Sequence, residues 1–388
     1  MATNAQARLA GFAVSAPGLE PWLTTELKVI GLDAREDSGG ATFEGTLEDV
    51  YRTNLWSRLS SRIVVRIASF RVRALGELAR RSATVPWEEW LAPDSAVQLR
   101  VSARKSRLYH TGAIAERVME GMAKRVRTQP RVVASVEDEE QPGEATLLLI
   151  RLAHDVCTIS LDSSGALLHR RGYRQAVARA PMRETLAAAM LAAGGWPAGT
   201  PLNDPLCGSG TIPIEAALKA RDIAPGLGRA FAFEHWPRHQ AGRWQTLRDE
   251  ARARIRPAAP AHIAGSDRDS GAIAASRENA VRAGVAADIE FSEAPLSRAP
   301  MSGAPGWIVT NPPYGVRVGE SAPLRDLYAT LGRIVRDGRH HLVMLSADAN
   351  LERQLGMPLQ TLVATRNGGL AVRILSGGGP RPSNSESR

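Results

Sequence analysis

The tetrapeptide Asn311-Pro312-Pro313-Tyr314 follows the apolar run Trp307 to Thr310, and its residue types suit the presentation of an amine. Two successive prolines fix their φ angles and remove two backbone donors, leaving carbonyls and the Asn311 side chain as rigid acceptors. An exocyclic amine on a nucleobase is a poor nucleophile because its lone pair is delocalised into the ring. Accepting both N–H bonds, at Asn311 Oδ1 and the Pro312 carbonyl, favours a more pyramidal nitrogen that can attack an electrophilic methyl group. Tyr314 offers a stacking face, worth roughly 1–3 kcal/mol per base at comparable sites. The plain alternative is a Pro-Pro turn beside a core aromatic.

A second stretch, Asn203-Asp204-Pro205-Leu206-Cys207-Gly208-Ser209-Gly210-Thr211, follows a short apolar strand and opens a helix. Gly208 and Gly210 allow close backbone approach to a ligand, and the helix start offers unpaired N–H groups. Pro213 stands where a dinucleotide fingerprint needs a third small residue, and no GK[ST] closes a Walker loop. Asp204, four residues ahead of the first glycine, suits a ligand with an amine and a carboxylate rather than a pyrophosphate. The next strand should end in a carboxylate that receives ribose hydroxyls. Asp267 in HIAGSDRD fits, with Asp269 as the alternative reader or as the cap of the following helix. Asp267 lies 57 residues beyond Gly210, against the usual roughly twenty, so Arg221 to Pro260 must be an insertion.

These motifs need a parallel sheet to hold them. Strands at Pro201 to Asn203, Ile263 to Gly265, Trp307 to Thr310 and His341 to Leu345 alternate with helices at Ile212 to Ala220, Gly271 to Ala283 and Leu324 to Val335, which indicates βαβ units. The strand before Asn311 counts as the fourth of the sheet. Asn367-Gly368-Gly369 should turn a terminal antiparallel hairpin, and a helix from about Arg183 to Ala193 leads in. Upstream the elements read as α+β. They comprise strands near Phe12 to Ser15, Ala41 to Gly45, Arg62 to Val72 and Val97 to Ser102, a helix from Pro17 to Leu32, a helix capped by Thr46, and an amphipathic helix from Thr111 to about Arg125. Strands near Val132 to Val136, Ala145 to Leu152 and Val156 to Leu161 complete that part. Residues 135–145 should form a hairpin tip or flexible loop, and the tail from residue 377 should be disordered.

A length of 388 residues supports two to three domains. Hydrophobic residues at 44% without an apolar run of membrane-spanning length point to a soluble protein. Neither a secretory signal nor a lipidation motif is read at the N-terminus. Cys157 and Cys207 stand 50 positions apart with no Cys/His cluster, which argues against a disulfide framework or metal site and for a reducing, cytosolic compartment. The net charge of +9 is placed unevenly. Nine basic residues between Arg100 and Arg131, including Arg104, Lys105 and Arg107, face only Glu116 and Glu120, and Ser163 to Arg183 holds five arginines and no acid. Two such blocks look like a footprint for a polyanion.

DPLCGSGTIPIEAA (204–217), GSDRD (265–269) and TNPPYG (310–315) resemble the class I S-adenosylmethionine-dependent RNA methyltransferases that carry an N-terminal THUMP domain. So do FAVSAPGLE, NLWSRLSSR, SRLYHTGAIAERV and RRGYRQAVARAPMRETLAAAML, so the likeness covers nearly the whole chain. Within that family it is most similar to the guanine-N2 methyltransferase half of the large-subunit 23S rRNA enzyme, with the tRNA guanine-N2 members as rivals. DNA adenine-N6 and protein-glutamine methyltransferases share an NPPY-type loop without the RNA-type N-terminal part. The resemblance implies an α/β fold, with a Rossmann-like catalytic domain on a seven-stranded, mostly parallel sheet, preceded by an α+β ferredoxin-like and THUMP RNA-binding module. It implies a ferredoxin-like element over 1–70, THUMP over 71–163 and the catalytic domain over 164–376. S-adenosylmethionine is the implied cofactor and RNA the implied partner. Asp204, Cys207, Gly208, Ser209 and Gly210 match the cofactor loop and Asp267 the ribose acid. Glu293 stands where the family usually has Asp beside the adenine. Asn311, Pro312 and Tyr314 match the target-base loop. Pro181 to Glu184 matches a segment closing over the cofactor, with Arg183 facing either the cofactor carboxylate or an RNA phosphate.

Overall fold

The computed structural model describes residues 8–93, 95–128, 130–133, 145–175, 182–301, 304–314 and 321–379. The expected loop at 135–144, the tail beyond residue 379, Pro181 and Gly315 lie outside them. Two compact units emerge, one of residues 1–15, 23–168 and 229–249, the other of residues 16–22, 169–228 and 250–388.

The first unit is built on β1 (Leu9–Val14), α1 (Glu20–Val29), β2 (Ala34–Asp37), β3 (Gly40–Gly45), α2 (Leu47–Trp56), β4 (Arg62–Arg71), α3 (Leu75–Ser82), β5 (Ala96–Arg104), α4 (Thr111–Val126), β6 (Arg131–Val132), β7 (Thr146–Ala153) and β8 (Val156–Asp162). The strands make one sheet in the order β2-β3-β1-β4-β8-β7-β5-β6. Antiparallel pairing of β4 with both β1 and β8 joins its halves. Thr46 starts α2 as expected, through a reciprocal box in which Asp49 N donates to Thr46 Oγ1 at 3.3 Å and Thr46 N donates to Asp49 Oδ2 at 2.8 Å. The aromatic-rich insertion contributes core to this unit. Phe233 stacks on Tyr51 at 4.4 Å between centroids, Trp244 meets Phe233 edge-on at 5.1 Å, and Trp236 meets Trp90 at 5.1 Å.

The second unit holds α5 (Glu184–Gly194), β9 (Leu202–Asp204), α6 (Thr211–Ala220), α7 (Ala241–Ala253, shared with the first unit), β10 (Ile263–Asp267), α8 (Ser270–Arg282), β11 (Ile289–Glu293), β12 (Trp307–Thr310), α9 (Ser321–Asp337), β13 (His341–Ser346), α10 (Ala349–Gln354), β14 (Leu359–Asn367) and β15 (Leu370–Gly378). Its seven strands run β11-β10-β9-β12-β13-β15-β14. The ladders from β11 through β13 are parallel, and β15 alone runs antiparallel to its neighbours. The Asn367-Gly368-Gly369 hairpin forms as expected, with Gly368 at φ 59°. Strands buried on both faces read as continuous apolar runs. Thus every residue of β12 and β13 is buried, and Ile308, Leu342 and Met344 pack with Tyr328, Leu331 and Val335 of α9. Among the described residues no helix is long and apolar enough to cross a membrane.

Candidate active site

The strand order decides where a ligand can sit. The chain lays β10 and β11 on one side of β9 and then crosses back to place β12 on the other. The carboxyl ends of β9 and β12 therefore open a crevice at the point where the order reverses. Asp204 ends β9, Asp267 ends β10, and Asn311 follows β12. All three line one cavity of about 950 Å³ with Cys207, Gly208, Ser209, Pro312 and Tyr314, a volume at the upper end of the range for small-molecule sites.

Asp204 is 2% exposed. Its Oδ1 accepts from Thr310 Oγ1 at 2.7 Å and from Leu206 N at 3.2 Å, tying the ends of β9 and β12 together. Burial, followed by the nearby Asp267 charge, pushes the Asp204 carboxyl up to about 7 against those two hydrogen bonds. No cation among the described residues pairs with it. Asp267 accepts from Gly208 N at 3.0 Å through Oδ2 and from Asp269 N at 3.1 Å through Oδ1. Each carboxylate oxygen has two lone pairs, so acceptor capacity towards the cavity remains. Asp269 caps α8, accepting from Gly271 N at 2.8 Å and Ala272 N at 3.3 Å. Capping is its role here, as the sequence alternative foresaw.

The glycine loop is held from behind. Cys207 N donates to Ser266 O at 2.9 Å, Ser276 Oγ to Gly208 O at 2.7 Å and Asn279 Nδ2 to Ser209 O at 3.1 Å. Gly208 and Gly210 both take positive φ, at 51° and 82°. At Gly210 a Cβ would also sit 3.0 Å from Ser276 Cβ and 3.1 Å from the Phe291 ring. Gly210 is therefore demanded by the turn into α6 and is not among the cavity-lining residues. Burial raises the Cys207 thiol well above its ordinary range, so it sits neutral as a wall and not as a nucleophile.

After β12 the prolines hold Asn311 at the cavity with Oδ1 buried and, among the described residues, without a hydrogen-bond partner. Such an acceptor costs stability unless a donor arrives. Asn367 Nδ2, from the end of β14, donates to the Tyr314 hydroxyl at 2.9 Å, and the Tyr328 hydroxyl donates to Pro313 O at 3.4 Å. The loop is thus fixed at two points, and burial raises the Tyr314 phenol so that it stays protonated.

Other expected residues fall elsewhere. Glu293 ends β11 exposed, in register with Asp267, and does not line the cavity. Met182 lines it, whereas Arg183 is the exposed residue before α5. Part of the second basic block turns inward. Buried Arg171 has its Nε 3.6 Å from buried Glu215, and half-buried Arg174 has its NH2 3.1 Å from buried Glu184. Glu184, the residue just after the block, and Glu215, further along the chain, supply the charge that the block lacks. Arg104, which ends β5, and Lys105 and Arg107, between β5 and α4 of the first unit, are exposed. Thr310, Ser276 and Asn279 were not assigned a part in the site from the sequence, and Asn367 was read only as a turn residue. Only the place of Thr310 beside Asn311 gave any signal for them.

Residues 171–370 match the UPF0020 family model, described as an RMKL-like methyltransferase domain, and residues 11–64 match the RlmL ferredoxin-like domain. The chain is 40% identical over 380 residues to a protein of Syntrophotalea carbinolica named "Ribosomal RNA large subunit methyltransferase K/L", covering 94% of this chain and 53% of that one. A Synechocystis protein named "Putative RNA methyltransferase slr0064" is 33% identical, with 94% of this chain and 95% of that one covered. The chain spans about half the length of the K/L relatives it matches. Among solved structures, SMU.472, titled "a putative methyltransferase complexed with SAH", superposes with TM-score 0.86 at 27% identity over 97% of this chain and 99% of that one. The sheet order, the cavity at its switch point and these matches place the chain in the family of RMKL-like methyltransferase domains with an RlmL-type ferredoxin-like N-terminal domain.

Proposed function

We propose that the chain transfers a methyl group from S-adenosylmethionine to the exocyclic N2 amine of a guanosine in large-subunit ribosomal RNA. The observation that carries this reading is one cavity in which an uncompensated buried carboxylate, Asp204, and an unpartnered buried acceptor, Asn311 Oδ1, meet. The first suits the ammonium of an amino-acid-bearing ligand, and the second suits a donor such as an amine. The names of the K/L relatives and the SAH in the SMU.472 structure support the same assignment.

When bound, S-adenosylmethionine supplies an electrophilic sulfonium methyl group. Asp204 would hold its ammonium, Asp267 its ribose hydroxyls, and the Cys207 to Ser209 backbone its close approach. Asn311 Oδ1 and the Pro312 carbonyl accept the two N–H bonds of the amine and aim its lone pair, while Tyr314 stacks on the base. Positioning and exclusion of water do the work: as the N–CH3 bond forms, the S–CH3 bond would break to leave neutral S-adenosylhomocysteine, and the methylated nitrogen would give up one of its two protons to solvent, with no strong base required. The target base must be unpaired or extruded to reach such a cavity. We assign RNA capture to a THUMP domain over 71–163, following the ferredoxin-like element of 1–70 and ahead of the catalytic residues 164–376. The two unpaired, buried cysteines suit a cytoplasmic setting.

Incubation of the chain with radiolabelled S-adenosylmethionine and either bulk rRNA or bulk tRNA, followed by nucleoside mass spectrometry, tests the reading. N2-methylguanosine in 23S rRNA is expected. Label confined to tRNA would transfer the assignment to the tRNA class, and N6-methyladenosine as the product would overturn the choice of base.

A further inference from the structure

We propose that Tyr109 is a stacking platform for one unpaired nucleotide of the RNA substrate, with Arg104, Lys105 and Arg107 receiving the adjoining phosphates. The inference rests on the reading of the chain as an RNA enzyme and adds a subsite that is not part of the cavity. Every Phe, Trp and Tyr of the chain lies among the described residues, and Tyr109 alone is exposed, at 65%. The remainder are buried or half-buried, so this ring is an exception to how the chain treats its aromatics. One side of it is backed by His110, with centroids 4.1 Å apart.

The loop that carries it is built and not merely slack. Arg107 N donates to Asp155 Oδ1 at 2.8 Å, Asp155 N donates to Ser106 Oγ at 3.1 Å, and Ser106 Oγ donates to Arg104 O at 3.1 Å. Arg73 Nε holds the other Asp155 oxygen at 3.0 Å. Lys105, His154 and Asp155 all take positive φ, at 48°, 51° and 62°, and they are three of the six such non-glycine residues described. Positive φ at His154 and Asp155 is the favoured geometry of the two-residue hairpin joining β7 to β8, so a defined turn supplies the Asp155 anchor of the loop, and Lys105 alone leaves the common region. An aromatic held in place before its ligand arrives loses less freedom on binding.

Charge points to the same ligand. Further along the basic block Arg117 pairs with Glu120 and Arg125 with Glu88. Arg104 and Lys105 are exposed and make no ion pair among the described residues. Phosphate attraction alone would accept a duplex and a single strand alike. A bare aromatic ring discriminates, because only an unpaired base presents its face.

The test uses the full chain and fluorescence anisotropy with a labelled oligoadenylate of about ten nucleotides, beside an RNA duplex of equal length. Tyr109→Ala should weaken single-strand binding about five- to hundredfold, the equivalent of one lost base stack. Its duplex affinity, salt slope, melting temperature and SAH affinity should match wild type. Tyr109→Phe should stay within about twofold of wild type on the single strand. Replacing Arg104, Lys105 and Arg107 by Ala should weaken both RNAs and flatten the salt slope. The proposal is overturned if Tyr109→Ala binds the oligoadenylate like wild type, or if it loses single strand and duplex equally. Either result leaves the proposed function standing, since that reading is decided by which RNA and which base become methylated and not by single-strand affinity.

Discussion

Lowering the pH from 8 to 6 should weaken the binding of S-adenosylhomocysteine, because the carboxyl that would meet its ammonium is half-protonated near neutrality. Burial, and then the neighbouring Asp267, raise Asp204 to about 7. A group of that pKa is ionised to about 90% at pH 8 and about 10% at pH 6, so affinity should fall about tenfold, or about 1.4 kcal/mol, if only the ionised form binds. Calorimetric titration in two buffers of different ionisation enthalpy reads both the affinity and the proton released, close to one per ligand at pH 6. Glu184 is also raised to about 7, chiefly by burial, so pH alone does not assign the titration. Asp204→Asn does, and should bind weakly with no slope between pH 6 and 8. The reasoning fails if wild-type affinity is flat over that range, or if the Asn variant keeps the wild-type slope. The same shift fixes a second sign. A carboxyl raised in the fold gives its stabilising contribution below about 4 and loses it as pH rises through about 7. Without ligand, Asp204→Asn should therefore melt higher than wild type at pH 8, and the gap should narrow at pH 6.

Three further outcomes concern the same cavity. Asn311→Ala should lower single-turnover methylation at least about hundredfold, the cost of one preorganised hydrogen-bond partner, while calorimetry finds SAH affinity unchanged. Retained turnover would remove Asn311 from the reaction. Asp267→Ala should weaken SAH about ten- to hundredfold through lost charge-assisted hydrogen bonds, and an unaltered Kd would exclude it as the ribose acid. Asn367→Leu releases the Tyr314 hydroxyl, so kcat should fall about three- to tenfold with SAH affinity constant. Restoration of wild-type kcat by Asn367→Gln would support positioning of the ring over a packing role.

The parallel part of the fold was legible because its strands are buried on both faces, so Trp307 to Thr310 and His341 to Ser346 stand out as unbroken apolar runs. By contrast β11 carries Glu290 and Glu293 in five residues, and α3 is eight residues with few apolar positions. Each is periodic, with Ile289 and Phe291 alternating with Glu290 and Ser292, and with Leu75, Leu78 and Ala79 on one side of α3, but each is short, and neither was foreseen. The cavity motifs were legible since each is contiguous in sequence. Their supports were not, because Ser276, Asn279 and Asn367 act across sequence separations of 53 to 70 residues, and nothing local distinguishes such residues from ordinary surface polars. The second basic block misled for the same reason. Counting charge over residues 163–183 records Arg171 and Arg174 but stops one residue short of Glu184 and far short of Glu215, which folding sets against them.

The support network explains how two acids can share the head of one crevice. Asp267 uses the Gly208 amide, so its charge is met by a backbone dipole that also shapes the ligand loop. Asp204 receives only a hydroxyl and one amide, and its position next to a second carboxylate raises it further. A hydrophobic residue at 204 would pack without that penalty, and a lysine or arginine nearby would cancel it. Residue 204 is not hydrophobic, and among the described residues no cation pairs with it, Arg268 lining the same cavity without an ion pair to Asp204, so the sequence keeps a carboxylate that the folded protein alone does not satisfy. A cation that enters the cavity gains the interaction the fold withholds, whereas a phosphate gains repulsion from both acids. Selection between an amino-acid-bearing nucleoside and a nucleotide is in this way written into a carboxyl that destabilises its own fold above neutral pH.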